Sequence, residues 1–272
     1  MLFVMHVQQL VCAILDDLLV RTVVMSDNSG RGNVAFVVVD AYGITTTHVR
    51  EIRAALADFC AANNIVSLNI SVLHQHSAVD TLGMNGSILK ALGNAGKADP
   101  VNGINKEYME NLYAKIEETL TEAVASMTAG TLYYGNDDFS DFVTDKRDPQ
   151  VLDAEFDRFR FVPADGGREI WFTTSAAHCV GNGAGGTELT GDYPYYMEQY
   201  INENYNADFL MILTAEQGTT QDWEAVGVPE GVDTVEGLTI YAKAFSDKFA
   251  AISNETEVAP VLNIAHKEAF YT

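Results

Sequence analysis

The chain reads as an α/β protein: mixed β-sheets flanked by helices, βαβ-type units, and histidines at strand C-terminal ends. Three observations predict this class. Apolar, β-branched runs such as "NVAFVVVD" and "ADFLMILT" have the character of buried strands. Between such runs the apolar period changes to the helical one, as in Val49, Ile52, Leu56 and Phe59. From Asn33 to Ser77 the order is strand, helix, strand, which is the pattern of a βαβ unit.

Taken in order, "LLVRTVVMSD" and "NVAFVVVDAYG" flank the turn-rich "NSGRG" and predict an antiparallel hairpin with a buried second strand. A helix begins at Thr45 and ends near Asn63 and Asn64. "IVSLNISVLHQHS" returns to strand, and residues 86–104 read as a Gly-rich loop. A long amphipathic helix over residues 105–128 buries Tyr108, Leu112, Ile116, Leu120, Val124 and Met127. "GTLYYGND" is a strand, and "FDRFRFVPADGGREIWFTTSAAH" is a hairpin turning at "ADGG". After "CVGNGAGGTELTGDYP" comes a helix with Asp192 as its N-cap and Pro194 in its first turn. "ADFLMILTAEQG" is a further buried strand. The last helix starts at a capping box of Asp233 and Glu236 and turns Leu238, Tyr241, Ala242, Phe245 and Phe249 inward. There is no internal repeat and no linker, so residues 1–272 are expected to form one domain.

Bulk composition narrows function. The 272 residues are 47% hydrophobic and 20% charged, enough to bury a sizeable core. Sixteen basic against 38 acidic side chains give a net charge of -22, which repels phosphate backbones and argues against nucleic-acid binding. Cys12, Cys60 and Cys179 are an odd number without metal spacing, so no disulfide framework is expected. The apolar start meets Asp16 and Asp17 too soon for a membrane span of about 20 residues, and it lacks a basic leader.

Two of the six histidines stand one residue apart in "SVLHQHSAVDTLGMNG". On an extended strand His74 and His76 share a face, their side chains about 7 Å apart at the base. Neutral imidazole is a good zinc ligand; the other reading is a pair of strand-end histidines satisfied by hydrogen bonds. His178 likewise closes an apolar strand and enters a Gly-rich loop, where α/β proteins build their sites. A third strand end, "LTAEQGTTQ", offers Glu216 as ligand or general base, Gly218 for close backbone approach, and Thr219 or Thr220 toward substrate; an ordinary strand-to-helix turn is the alternative. Arg147 in "TDKRDPQVLD" is either a surface ion pair or a clamp for an oxygen-rich group. No G-x-S-x-G elbow, phosphate-binding loop or H-E-x-x-H is present.

Over residues 15–265 these motifs run in the order of a known family. "VAFVVVDAYGI", "NISVLHQHSAVDTLGMNG", "DKRDPQVLDAEFDRFRF", "TTSAAHCVG" with "LTGDYPYYMEQY", and "LMILTAEQGTTQ" together resemble the neutral/alkaline, non-lysosomal ceramidases. The resemblance implies a zinc-dependent amidase acting on a small-molecule or lipid amide, the N-acyl bond of ceramide among the candidates. It implies zinc on His74 and His178, with His76 beside the metal toward substrate and Arg147 near the site. Ser77, Asp80 and Gly218 fall on the substrate side. The family's "GDVSP" serine has no direct counterpart, and Thr219 or Thr220 stands in that place. Nor does the sequence up to Thr272 include the later segment that gives the family's zinc-binding glutamate and tyrosine. The chain is therefore expected to be incomplete at both ends, or to use Glu216, Asp80 or another carboxylate instead. A secreted or envelope-associated address is implied by the family alone. The alternative function is a non-catalytic ceramidase-like domain that acts as a binding module.

Overall fold

The computed structural model describes residues 13–83, 104–145, 147–181, 187–214 and 219–265. The predicted first hairpin is present: β2 (Val20–Met25) runs antiparallel to β3 (Asn33–Val39), after a two-residue β1 (Ala13–Ile14). The helical stretch that follows is two helices, α1 (Thr46–Ala55) and α2 (Ala57–Ala62), broken at Leu56. Thr45 caps α1 by accepting from the His48 backbone N–H. The chain returns in β4 (Ile65–Val72), parallel to β3, which completes a βαβ unit in a three-stranded sheet ordered β2-β3-β4.

The predicted 86–104 loop lies outside the described residues except for Ile104. The long helix α3 (Lys106–Ala125) is capped by Asn105 and buries Met109, Leu112, Ile116 and Leu120. Its stripe is shorter than the sequence suggested. Tyr108 and Val124 are only partly buried, and Met127 is exposed because the helix stops two residues before it.

β5 (Gly130–Asp138), β7 (Glu155–Pro163) and β8 (Glu169–Ser175) form an antiparallel run, with β6 (Val143–Asp145) between the first two in sequence. The two-residue β9 (Glu188–Leu189) pairs with β1. Helix α4 (Asp192–Asn204) then leads to β10 (Ala207–Thr214), parallel to β8, a second crossover of the same kind. β11 (Thr219–Gln221) pairs with β6. α5 (Thr234–Ala250) starts at the predicted Asp233 cap and buries all five predicted residues. β12 (Thr256–Glu257) closes a five-stranded sheet ordered β10-β8-β7-β5-β12.

Strand β3 explains its own sequence. Ala35, Val37 and Val39 pack against Ile52, Leu112, Ile116 and Leu120 in one core. Val38 belongs to the other core, with Phe172, Tyr193, Phe209 and Phe245. A strand covered on both faces has no reason to alternate. In the larger core Phe245 lies 4.8–5.2 Å, centroid to centroid, from Phe139, Phe142 and Phe156. Such rings add pairwise attraction to the area they bury. Phe245→Ala is expected to lower unfolding stability by about 3–5 kcal/mol in guanidinium titration; a loss under about 1 kcal/mol would mean that the cluster does not hold α5.

Candidate metal centre

The histidines are gathered by backbone bonds that continue past the strands. Beyond β4, the Leu73 N–H donates to Val39 C=O and the Gln75 N–H to Ala41 C=O, each at 3.2 Å. His74 lies between them with φ +51°, in the left-handed region. The sequence reading put both histidines on a regular strand; here β4 has ended at Val72, and a left-handed kink aims the ring of His74. Its Nδ1 is 2.7 Å from Tyr42 C=O. A carbonyl only accepts, so Nδ1 carries the proton and Nε2 keeps a free lone pair. The Tyr42 ring lies over His74 at 4.6 Å and edge-on to His76 at 4.9 Å.

His178 arrives from the other sheet. Three residues after β8 it forms a parallel bridge with Thr220, its N–H donating to Thr219 C=O at 2.9 Å. The His76 N–H donates to Cys179 C=O at 3.2 Å, which joins the two histidine segments directly. His76 Nε2 then stands 2.8 Å from His178 Nε2 and 3.3 Å from His74 Nε2. One nitrogen from each of the three rings lies within 4.8 Å of the others.

Three ring nitrogens this close suit a shared cation. At zinc–nitrogen distances near 2.0–2.1 Å, tetrahedral ligands stand about 3.4 Å apart; the His76–His74 spacing of 3.3 Å matches this and the His76–His178 spacing of 2.8 Å is tighter. Burial, followed by the neighbouring His178 and His74, pushes the His76 imidazole down from 6.5 to about 4. His76 is therefore neutral at ordinary pH, the form that ligates. Among the described residues no carboxylate or thiolate joins the group. Cys60 and Cys179 are free thiols, and Cys179 is fully buried beside the site.

The remaining predicted residues surround this point unevenly. Arg147 is 67% exposed and grips the buried Asp145 through two bonds, Nε to Oδ1 at 2.8 Å and Nη2 to Oδ2 at 3.0 Å. That fork holds the Asp145 carboxyl down to about 2. Asp145 pairs in register with Thr219 of β11, the strand that bridges His178, so the ion pair sits one strand away from that histidine. Thr219 is buried and reaches His178 by its carbonyl; the Thr220 hydroxyl is buried without a hydrogen-bond partner among the described residues. Ser77 is buried, and its C=O accepts from the Thr190 N–H. The Asp80 carboxylate turns back to the N–H groups of Leu82 and Gly83. Gly218 and Glu216 lie outside the described residues.

Sequence reasoning passed over Asp40, Tyr42, Gln75 and Gln221. Asp40 is fully buried, accepting from Leu19 N–H and Arg21 and from the Gln75 amide. The available signal was an aspartate closing "FVVVD", since a carboxylate at the end of a buried strand needs a partner. Asp192, expected as an N-cap, is instead the first helical residue, with Gly191 at the cap position. Asp192 sits at φ +55°, accepting from Gly181 N–H, Tyr193 N–H and the Gln221 amide. The cap rule reads only local acceptors; tertiary donors captured this one.

No protein-family model and no curated protein matches the sequence. Solved structures do match. A ceramidase complexed with C2 superposes with a TM-score of 0.70 at 15% identity, over 90% of this chain and 39% of its own. The neutral ceramidase from Pseudomonas aeruginosa gives 0.63 at 14% identity, over 87% of this chain and 45% of its own. The chain has the ceramidase fold. It spans less than half the length of either ceramidase structure. Within this ceramidase-like fold no described helix is long and apolar enough to cross a membrane.

Burial raises the Asp192 carboxyl from 3.8 to about 6, and nearby Asp16 adds to the rise against the three donated bonds. A carboxyl whose folded value exceeds its unfolded one binds more protons when folded, so its contribution to stability falls as pH rises between the two. The stability difference between wild type and Asp192→Asn is expected to shift against wild type by about 2 kcal/mol from pH 4 to pH 6. Denaturant titrations across that range check it, and a flat difference refutes it.

Proposed function

We propose that this chain carries the metal-binding part of a zinc-dependent hydrolase that cleaves an amide bond, the N-acyl bond of ceramide or a related lipid being the substrate class. The observation that carries this is the convergence of His74, His76 and His178 at strand ends of a ceramidase-like fold. His74 and His178 hold the metal, with His76 between them at 2.8 and 3.3 Å. Bound zinc supplies a Lewis acid that polarises the amide carbonyl and acidifies water.

The chain's own groups do the rest. Tyr42 C=O keeps the His74 proton on Nδ1 and so leaves Nε2 for the metal. The neutral His76 ring stands beside the metal position and faces substrate or transition state. The buried Thr220 hydroxyl, which has no partner among the described residues, offers a hydrogen bond to a substrate oxygen. Arg147 meets substrate by exchanging one Asp145 oxygen for a substrate oxygen, since its exposed fork is already preset for oxyanions.

A second reading, a ceramidase-like module that holds metal without catalysis, draws on two facts. No described carboxylate joins the three histidines, and Arg147 is turned to Asp145.

Purified protein is expected to hold close to one zinc per chain by elemental analysis. His74→Ala and His178→Ala should each weaken zinc affinity by at least about 100-fold. Hydrolysis of a fluorogenic N-acyl lipid should disappear with the metal and return on adding zinc. Stoichiometric zinc with no hydrolysis of any amide supports the second reading. Full activity after chelation, or unchanged zinc affinity in both variants, overturns the first.

A further inference from the structure

The three rings come from two different sheets, and something must set the distance between them. We infer that the turn Thr190–Gly191–Asp192, gripped by Gln75 on one side and by Gly181 and Gln221 on the other, is the cross-brace that positions His178 against the His74–His76 pair. The inference rests on the proposed metal site, His74 and His178 with His76 beside them.

Gln75 lies between the two histidines of the first sheet and is fully buried. Its amide donates to Asp40 Oδ1 at 3.2 Å and to the Gly191 carbonyl. From the same segment, Ser77 C=O accepts from Thr190 N–H at 3.1 Å. The turn is thus tied on either side of His76. Asp192 faces the second sheet. Its Oδ2 accepts from Gly181 N–H at 2.9 Å, three residues after His178. Its Oδ1 accepts from the Gln221 amide at 2.8 Å, one residue after Thr220.

Two features say that this turn is held for position. Asp192 adopts a left-handed backbone, which a non-glycine residue keeps only where its surroundings impose it. Asp16 imposes it, accepting from Thr190 Oγ1 and Gly191 N–H at 2.5 Å each. Gly191 also has no room for a side chain, since a Cβ there would stand 2.7 Å from the Cβ of Tyr195. Secondly, the buried Asp192 carboxylate is met by three neutral donors. A buried charge paired only with neutral N–H groups is a costly way to cap a helix. It is a good way to fix two other chain segments, at Gly181 and Gln221, to the start of α4.

Asp192→Asn presents an amide to Gly181 N–H, so that a donor meets a donor. Gln75→Leu keeps the volume and removes both amide bonds. Each variant is expected to weaken zinc affinity by about 10- to 100-fold, measured with zinc alone against a chelating dye at a temperature where circular dichroism shows the variant folded. The double variant should lose no more than about threefold beyond the worse single one, because both act through one brace. If Asp192→Asn does not fold, Gln221→Leu removes one of the three donors and should cost about three- to tenfold.

A metal-independent readout separates the two readings. In zinc-free protein labelled with 15N-histidine, the hydrogen bond between His76 Nε2 and His178 Nε2 should give an exchange-protected signal. Loss of that signal in folded variants supports the brace even if wild type takes up no zinc, an outcome that would instead remove the proposed function. Folded variants with unchanged zinc affinity and an unchanged signal overturn the brace, and so do losses that add fully in the double variant.

Discussion

A buried carboxylate at the end of a central strand, Asp40, dictates much of what surrounds it. An ionised group away from water must be met by opposite charge and by donors, or it takes up a proton. Burial pushes the Asp40 carboxyl up, and Arg21 pulls it back. Arg21 comes from β2, reaches Asp40 Oδ1 at 2.8 Å, and contacts Glu198 of α4 at 2.6 Å. One ion-pair triad therefore joins the first sheet to the helix of the second crossover. Its energetic worth against an apolar substitute is modest, but removing one member alone leaves a buried charge and costs about 3–5 kcal/mol. Such a group specifies how two sheets meet more than it strengthens either.

The ceramidase-like fold has two cores with β3 between them, and each gives a crossover unit whose strand ends point to the same pole. Ser71 Oγ donates to Ile212 C=O at 2.7 Å, so β4 and β10 run close along this seam. The loops that leave those strand ends carry polar backbone groups that have lost their ladder partners. They satisfy one another across the seam, as in His76 N–H to Cys179 C=O and Thr190 N–H to Ser77 C=O. The imidazoles converge because the backbones beneath them are hydrogen-bonded to each other.

What was legible in the sequence follows the range of the interactions. The first hairpin, the Asp233 cap and the inward face of α5 depend on neighbours a few residues away, and each stands as read. The short strands β1, β6, β9, β11 and β12 have no readable period, since two or three residues define none, and they exist only through distant partners. At the site, the histidines were legible as strand-end residues beside Gly-rich loops. Their mutual distance was not, because it depends on the left-handed kink at His74 and on the turn at Asp192, neither of which has a local sequence mark. Asp192 itself was noticed for a helix-capping role that its distant donors displaced.

The acidity of the chain and the chemistry of the site then separate cleanly. With 38 acidic residues and a net charge of -22, the protein draws cations toward its surface at long range. The carboxylates around the histidines are committed elsewhere: Asp40 to Arg21 and Gln75, Asp145 to Arg147, and Asp192 to Gly181, Tyr193 and Gln221. What remains for an ion is imidazole nitrogen, the donor that suits zinc, copper, iron and nickel. Calcium and magnesium want oxygen and find none free among these groups. The surrounding field raises the local concentration of cations according to their charge, and in the proposed site the neutral nitrogen donors would select among ions of equal charge. That division of labour favours zinc over a harder ion in the function proposed above.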